Sequence, residues 1–186
     1  MINFIQTNAT PIIAFLTLIS NIIFVAVVVA MLAHSGTRAR LSVFVHKYIL
    51  ELLFWSVLSA VVGSLIYSQI IGFPPCDLCW WQRVFMYPQA VILLVAMRRK
   101  DISIIDYLVP LSVLGGILSL YQSLVQWGIG GSIFACTAVG SACAKVFVLE
   151  YSYITIPFMS FTVFVYIIVL KFIYYRHSKK LKNKVM

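Results

Sequence analysis

Cys76-Asp77-Leu78-Cys79 follows Pro74-Pro75 and precedes Trp80-Trp81, with Arg83 four residues beyond the second cysteine; Cys136 and Cys143 complete the chain's 4 cysteines. A thiol pair separated by two residues suits thiol–disulfide exchange, in which a thiolate attacks a disulfide sulfur. Four cysteines allow three pairings, and the short spacing favours a local Cys76–Cys79 bridge, with Cys136 and Cys143 as partners across a short loop. Structural staples, a four-cysteine zinc site and redox exchange are the three available uses. Zinc is disfavoured because Cys136 and Cys143 lack the tight knuckle spacing of zinc ribbons. A disulfide closing so small a ring as 76–79 removes little chain entropy, and a membrane helix beside it needs no staple, so a reactive role accounts for the pair better. Cys79 lies just ahead of a helix amino terminus, and Arg83 is one turn further on the same face. The sequence therefore predicts a lowered thiol pKa at Cys79. A guanidinium this close to a membrane span either snorkels to the interface or serves a site, by holding an anion or a polarised carbonyl.

The elements around these residues must be membrane helices. Of 186 residues 62% are hydrophobic and 10% charged, too little polar surface to coat a soluble globule. Residues 1–33 contain no Lys, Arg, Asp or Glu, and the 23 residues from Pro11 to Ala33 are long enough to cross a bilayer. Lacking a basic amino-terminal region and a short apolar core, this stretch is expected to be a retained helix rather than a cleaved signal. Five spans are expected, near 11–33, 48–71, 80–97, 102–127 and 153–175, in one membrane domain covering 1–186, with outer loops near 72–79 and 128–152. Pro88, Pro110 and Pro157 fall inside three of them and predict kinks.

All but two of the 14 basic residues fall in three clusters: Arg38, Arg40 and Lys47; Arg98, Arg99 and Lys100; and Lys171 to Lys184. If the spans alternate, all three lie on one side. Positive charge on the inside then puts the amino terminus outside, the carboxyl terminus in the cytoplasm and all the cysteines on the outer face, leaving only Arg83 and Lys145 as outer cations. In a bacterium that face is the oxidising one. The net charge of +9 is explained by topology and calls for no nucleic-acid partner, while the basic tail is placed to meet membrane lipid.

Pro75-Cys76-x-Leu78-Cys79-Trp80-x-Gln82-Arg83, followed by Met86-Tyr87-Pro88, resembles the disulfide bond formation protein B (DsbB) family, particularly its short-loop BdbC-type members. The resemblance covers about residues 48–175. Vitamin K epoxide reductases also use four outward cysteines, but there the loop pair precedes the CxxC. The resemblance implies an all-α bundle of four helices, here with one extra amino-terminal span, in the bacterial cytoplasmic membrane. It implies a relay in which a DsbA-type thioredoxin-fold thiol oxidase delivers electrons to Cys136–Cys143, Cys136 forming the mixed disulfide and Cys143 passing electrons to Cys76. Cys79 would then face a quinone, ubiquinone or menaquinone, with Arg83 stabilising the charge that develops on reduction. The family often has a histidine before the loop cysteines, whereas this chain reads Tyr121-Gln122-Ser123-Leu124-Val125-Gln126. Gln122 and Gln126 share a helical face and can hydrogen-bond a quinone carbonyl or a neighbouring helix, but they supply no proton. The loop pair is also closer together than in long-loop members, with Gly128-Ile129-Gly130-Gly131 ahead of it, leaving less room for an interfacial helix.

Among the remaining candidates, His34, His46 and His177 are expected at cytoplasmic ends, away from the cysteines, and Glu51 and Asp106 near the cytoplasmic interface. Trp80, Trp81 and Trp127 read as an aromatic belt, the first two also as possible walls of a quinone site. Gly115-Gly116 predicts a close helix approach. The competing functional class is a small transporter or scaffold carrying two structural outer disulfides.

Overall fold

A computed structural model describes residues 2–129, 133, 136 and 142–185. Gly130 and Gly131, and much of the outer loop expected over 128–152, lie outside the described residues. Among the described residues five α-helices follow one another: α1 (Ile2–Ala33), α2 (Ser35–Leu65), α3 (Asp77–Arg99), α4 (Ile105–Gln126) and α5 (Ile156–Val185), with a π-helical turn at Ile66–Ile70 ending α2. Among the described residues no strand forms beyond a single bridge between Glu150 and Ile154. Four stretches, Ala9–Ala33, Ser35–Ile70, Ile105–Gln126 and Ile156–Lys180, are long and apolar enough to cross a membrane. The α3 helix is not among them, because Asp77, Gln82, Arg83, Gln89, Arg98 and Arg99 dilute its apolar surface.

Helices α2 to α5 form a ring-ordered bundle in which each packs on the next and α5 closes back on α2. Four of the five buried residues of α2, Val45, Ile49, Leu53 and Val57, recur every fourth position on one face, and Leu50 flanks them. They meet Leu93 and Ala96 of α3, Leu108 of α4, and Phe164 and Ile167 of α5. The inward face of α4 is different in kind. Ser112, Gly115, Gly116, Ser119, Gln122 and Ser123 are buried, so small side chains bring α4 close to its neighbours while its polar groups bond inward. Helix α1 sits outside this ring, chiefly on α2 and to a lesser extent on α5 and the π turn, and of its described side chains only Ala14 and Met31 are buried.

Two expectations about the helices change. Instead of a loop, residues 35–47 form the first part of α2, and Arg38 reaches back so that Nε donates to the Met31 carbonyl at 2.8 Å and caps the end of α1. The break between this basic half and the apolar half is at Tyr48, with φ −115° and ψ 23°. Prolines do not make the kinks. Helices α3 and α4 run on through Pro88 and Pro110, with the Gln89 amide donating to the Phe85 carbonyl at 2.9 Å in the turn that Pro88 interrupts. Pro157 is the second residue of α5, where a missing N–H costs nothing.

The close approach expected at Gly115-Gly116 falls on one of the two. A methyl group at Gly115 would run into the ring of fully buried Phe164, whereas one at Gly116 would make an ordinary contact at 3.6 Å with Phe164 Cβ. Gly115→Ala is expected to destabilise the detergent-solubilised protein by about 1–3 kcal/mol, the usual range for overpacking, and Gly116→Ala far less. Thermal unfolding of both variants, and of Gly115→Ala combined with Phe164→Leu to restore the space, checks this ordering.

Candidate active site

Cys76 is the N-cap of α3. Its backbone is extended and its sulfur accepts the Cys79 N–H at 3.4 Å, so the motif forms the opening turn of the helix. The sulfurs of Cys76 and Cys79 are 2.7 Å apart, and no disulfide joins the four cysteines. Cys136 and Cys143 join the same cluster with Leu78, Leu118 and Tyr121 around them. The ring from Cys136 to Cys143 is closed by a backbone bond, Cys143 N–H to the Cys136 carbonyl at 3.0 Å. Cys143 is fully buried and its thiol hydrogen-bonds with that of Cys76, whereas Cys136 is only half-buried. The two pairs thus touch through Cys143 and Cys76.

Gln122 holds this junction. Its Nε2 donates to Cys76 Sγ at 3.1 Å and to the Cys143 carbonyl at 3.4 Å, and lies 3.7 Å from Cys79 Sγ. Its Oε1 accepts from Gln82 Nε2 at 2.7 Å, which ties α3 to α4 and turns the amide N–H groups toward the sulfurs. A second buried link between the same helices runs from the Ser112 hydroxyl to Gln89 Oε1 at 3.1 Å. Of the two uses weighed for Gln122 the bond to a neighbouring helix is made, to Gln82, and the sulfur of Cys76 and the Cys143 carbonyl are the acceptors of its N–H groups.

The acidic thiol is Cys76 rather than Cys79. The hydrogen bond from the Cys79 thiol draws Cys76 down to about 6, against the burial that pushes it up, and the Cys79 N–H and the Gln122 amide add to the lowering. The expectation for Cys79 placed the charge on the cysteine nearer Arg83. The bond from the Cys79 thiol, with the Cys79 N–H behind it, gives it to Cys76 instead. Burial, followed by the bond with Cys136, pushes the Cys143 thiol up.

Arg83 turns away from the sulfurs. Its Nε donates to Ser64 Oγ at 3.0 Å and its Nη2 to the Ser64 carbonyl at 3.2 Å, just ahead of the π turn, while its guanidinium lies over the Trp80 ring at 5.1 Å. The Tyr87 hydroxyl also donates to Ser64 Oγ, at 3.4 Å. Trp80 and Trp81 are exposed and do not line the cavity beside the cysteines.

That cavity, about 500 Å³, is lined by Cys76 and Cys79 but by neither Cys136 nor Cys143. Arg83, Tyr87, Gln82 and Gln122 lie on its walls with Ser64, and Tyr67, Phe73 and Phe147 add aromatic surface. Lys145 also lines it, over the Phe147 ring at 5.0 Å. The two basic residues left on the outer side by the charge pattern therefore both face this space. Ser64, Tyr87 and Lys145 were not singled out as site residues from sequence; for Lys145 the available signal was its isolation from the basic clusters. Among the described residues, no group of three or more His, Cys, Asp or Glu is arranged to hold a metal. His46 and His177 instead lie near each other, with ring centroids 5.2 Å apart, and Asp106 pairs with Lys171 at 3.2 Å.

A polytopic helical protein with two touching cysteine pairs, only one of which opens on an apolar cavity, is built as a membrane thiol–disulfide oxidoreductase. The chain belongs to the family described as "Disulfide bond formation protein DsbB", whose profile matches residues 46–174. It is 37% identical over 140 residues to "Probable disulfide formation protein C 2" of Bacillus anthracis, covering 75% of this chain and 98% of that protein. It is 39% identical over 132 residues to "SPbeta prophage-derived disulfide bond formation protein B" of Bacillus subtilis (71% and 88% covered). Against "Disulfide bond formation protein C" of the same organism, identity is 36% over 116 residues (62% and 84% covered). No solved structure matches significantly. The BdbC-type resemblance and the all-helical membrane fold are thereby established, and the chain is a protein-disulfide oxidoreductase rather than a scaffold with inert staples.

The Gln122 contacts have a measurable consequence. A hydrogen bond to a charged group contributes about 1.5–3 kcal/mol, and one pKa unit corresponds to about 1.4 kcal/mol. Reactivity of reduced Cys76 should rise with pH through about 6 and level off above it, because the thiolate is the reacting form. Gln122→Leu should move that profile upward by about one unit. Alkylation rates at Cys76, followed by peptide mass spectrometry across pH, test both statements.

Proposed function

We propose that this protein re-oxidises a DsbA-type thioredoxin-fold thiol oxidase on the outer face of a bacterial cytoplasmic membrane and passes the electrons to ubiquinone or menaquinone. The amino terminus then lies outside and the carboxyl terminus in the cytoplasm. The observation that carries the reading is the asymmetry of the two pairs: Cys143 touches Cys76, Cys136 is the more accessible loop sulfur, and only Cys76 and Cys79 border the cavity.

The exchange begins when a thiolate of the reduced oxidase attacks Cys136 of a Cys136–Cys143 disulfide, forming a mixed disulfide and releasing Cys143 as thiolate. The second thiol of the oxidase then displaces Cys136, so the oxidase leaves as a disulfide and both loop cysteines are reduced. Cys143 next attacks Cys76 of the Cys76–Cys79 disulfide and releases Cys79; Cys136 attacks Cys143, restoring the loop disulfide and freeing Cys76. Two electrons and two protons have then moved to the pair beside the cavity. The Gln122 amide and the Cys79 N–H stabilise Cys76 as the leaving thiolate of the last exchange.

The cavity residues suit a quinone. Its charged and amide side chains come from α3, α4 and the second cysteine loop, hydroxyl, aliphatic and aromatic side chains make the rest, and its volume is within the usual range of about 300–1,000 Å³ for small-molecule pockets. A bound quinone would accept two electrons and two protons. Arg83 and Gln122 are the residues proposed to hold it, with the Arg83 guanidinium free to share its donors between Ser64 and an oxygen in the cavity.

Ser64 addresses the proton that the glutamines cannot give. A serine hydroxyl has two acceptor sites and one proton. Arg83 and Tyr87 both donate to Ser64 Oγ, which leaves its own proton directed elsewhere, and the residue borders the cavity. We assign Ser64 Oγ as the proton-donating atom, resupplied by the Tyr87 hydroxyl.

Purified protein given a reduced DsbA-type oxidase and ubiquinone is expected to form quinol. Cys79→Ser should abolish this while an oxidase lacking its second cysteine is still captured on Cys136; quinol formation at the wild-type rate in that variant would sink the relay. Ser64→Ala should lower kcat by about 10²-fold, the lower end for a positioned proton donor, with Ser64→Thr retaining most of the activity. Because the Ser64 carbonyl still anchors Arg83 Nη2 in both variants, stopped-flow quinol formation across pH separates loss of the hydroxyl from loss of arginine placement.

A further inference from the structure

The family match begins at residue 46, so α1 lies wholly outside it. The Bacillus anthracis relative is matched over 98% of its length by only 75% of this chain. Yet α1 is part of the site. Ile13, Leu16, Thr17 and Ser20 line the same cavity as Cys76, Cys79 and Arg83. These four lie at i, i+3, i+4 and i+7, a single helical face. The cavity therefore runs from the sulfurs, past the π turn, to a helix outside the bundle.

The attachment of α1 is specific although its packing is sparse. Tyr166 of α5, itself a lining residue, donates its hydroxyl to Asn21 Oδ1, while the Ser20 hydroxyl meets the Tyr166 hydroxyl at 3.1 Å and the Phe24 ring lies 4.2 Å from the tyrosine ring. In hydrocarbon such polar groups have no water to fall back on, so the contact fixes where α1 stands along α5. Its remaining outward surface, including Ile12, Phe15, Ile22 and Ile23, is exposed and apolar, suited to lipid.

Resting on the quinone reading, we propose that α1 is an added wall for the polyprenyl tail of the quinone, with Ile13, Leu16 and Thr17 as the gripping surface and the Tyr166–Asn21–Ser20 contact as its pin. Three observations favour a tail over other occupants. The space is continuous with the proposed ring site, its charged and amide side chains come only from α3, α4 and the second cysteine loop, and α1 contributes no charged group to it. The ring end then supplies the redox geometry shared with shorter relatives, and α1 supplies tail selectivity.

The test uses full-length protein in phosphatidylethanolamine–phosphatidylglycerol vesicles. A quinone carrying a diazirine on its isoprenoid tail is photolysed and the labelled peptides are mapped. Label on residues 9–33, displaced by excess long-tailed quinone but not by a tail-less analogue, supports the wall. Leu16→Trp, which fills the grip, should raise KM for the long-tailed quinone by about tenfold and raise it far less for the tail-less analogue. Asn21→Leu, which removes the pin without filling the space, should reduce the displaceable label. Label confined to α2–α5, label on α1 displaced by phospholipid alone, or an equal KM increase for both quinones would overturn the proposal. Quinol formation from the tail-less analogue by unmodified protein tests the parent reading separately. If that fails both fall, and if it succeeds without label on α1 only the wall is lost.

Discussion

The amide of Gln122 is the contact on which the site depends. It is buried where water cannot substitute, and its single side chain ties together the end of α4, the first turns of α3 and the backbone of the second cysteine loop. An unpaired buried amide is costly, so each partner keeps the others in place. Gln82 orients the carbonyl end, and the sulfurs and the Cys143 carbonyl take the donors. Removing Gln82 would therefore disturb the sulfur chemistry without touching a sulfur. Below Gln122 on α4, Ser112 adds a second bond to α3 through Gln89, while Gly115 admits the Phe164 ring of α5.

Much of this architecture was legible in the sequence because membrane helices announce themselves through length and apolarity, and because a CxxC before a tryptophan-rich run is a compact local signal. Charge patterning also isolated Arg83 and Lys145, both of which line the cavity. What escaped depends on distance in the chain. Ser64 is unremarkable until α2 and α3 pack and Arg83 with Tyr87 turns toward it. Gln89 looks like an ordinary polar interruption until Ser112 is placed opposite. The acidity of Cys76 likewise needed the capping geometry, since helix direction alone assigns the charge to the nearer residue, Cys79. Prolines were over-read as kinks because neighbouring polar groups can bridge an interrupted turn, whereas the break at Tyr48 has no proline to mark it.

The division of labour among the helices follows from where polar groups are tolerated. Helix α3 carries the cysteine cap, Gln82, Arg83 and Gln89, and is the least apolar of the five by the span criterion. It is held between α2 and α4, which supply Ser64, Ser112 and Gln122 as partners. Helix α1, with the fewest demands of this kind, is free to be almost wholly apolar and to remain at the periphery.

The backbone bond between Cys143 and the Cys136 carbonyl has a consequence for the direction of electron flow. Because it involves no sulfur, it can persist whether or not the loop sulfurs are covalently joined. The two thiols then behave as reagents at high effective molarity, and ring closure loses little further conformational entropy. A dithiol so arranged re-forms its own disulfide readily, which in the proposed relay biases the loop toward emptying itself into the deeper pair.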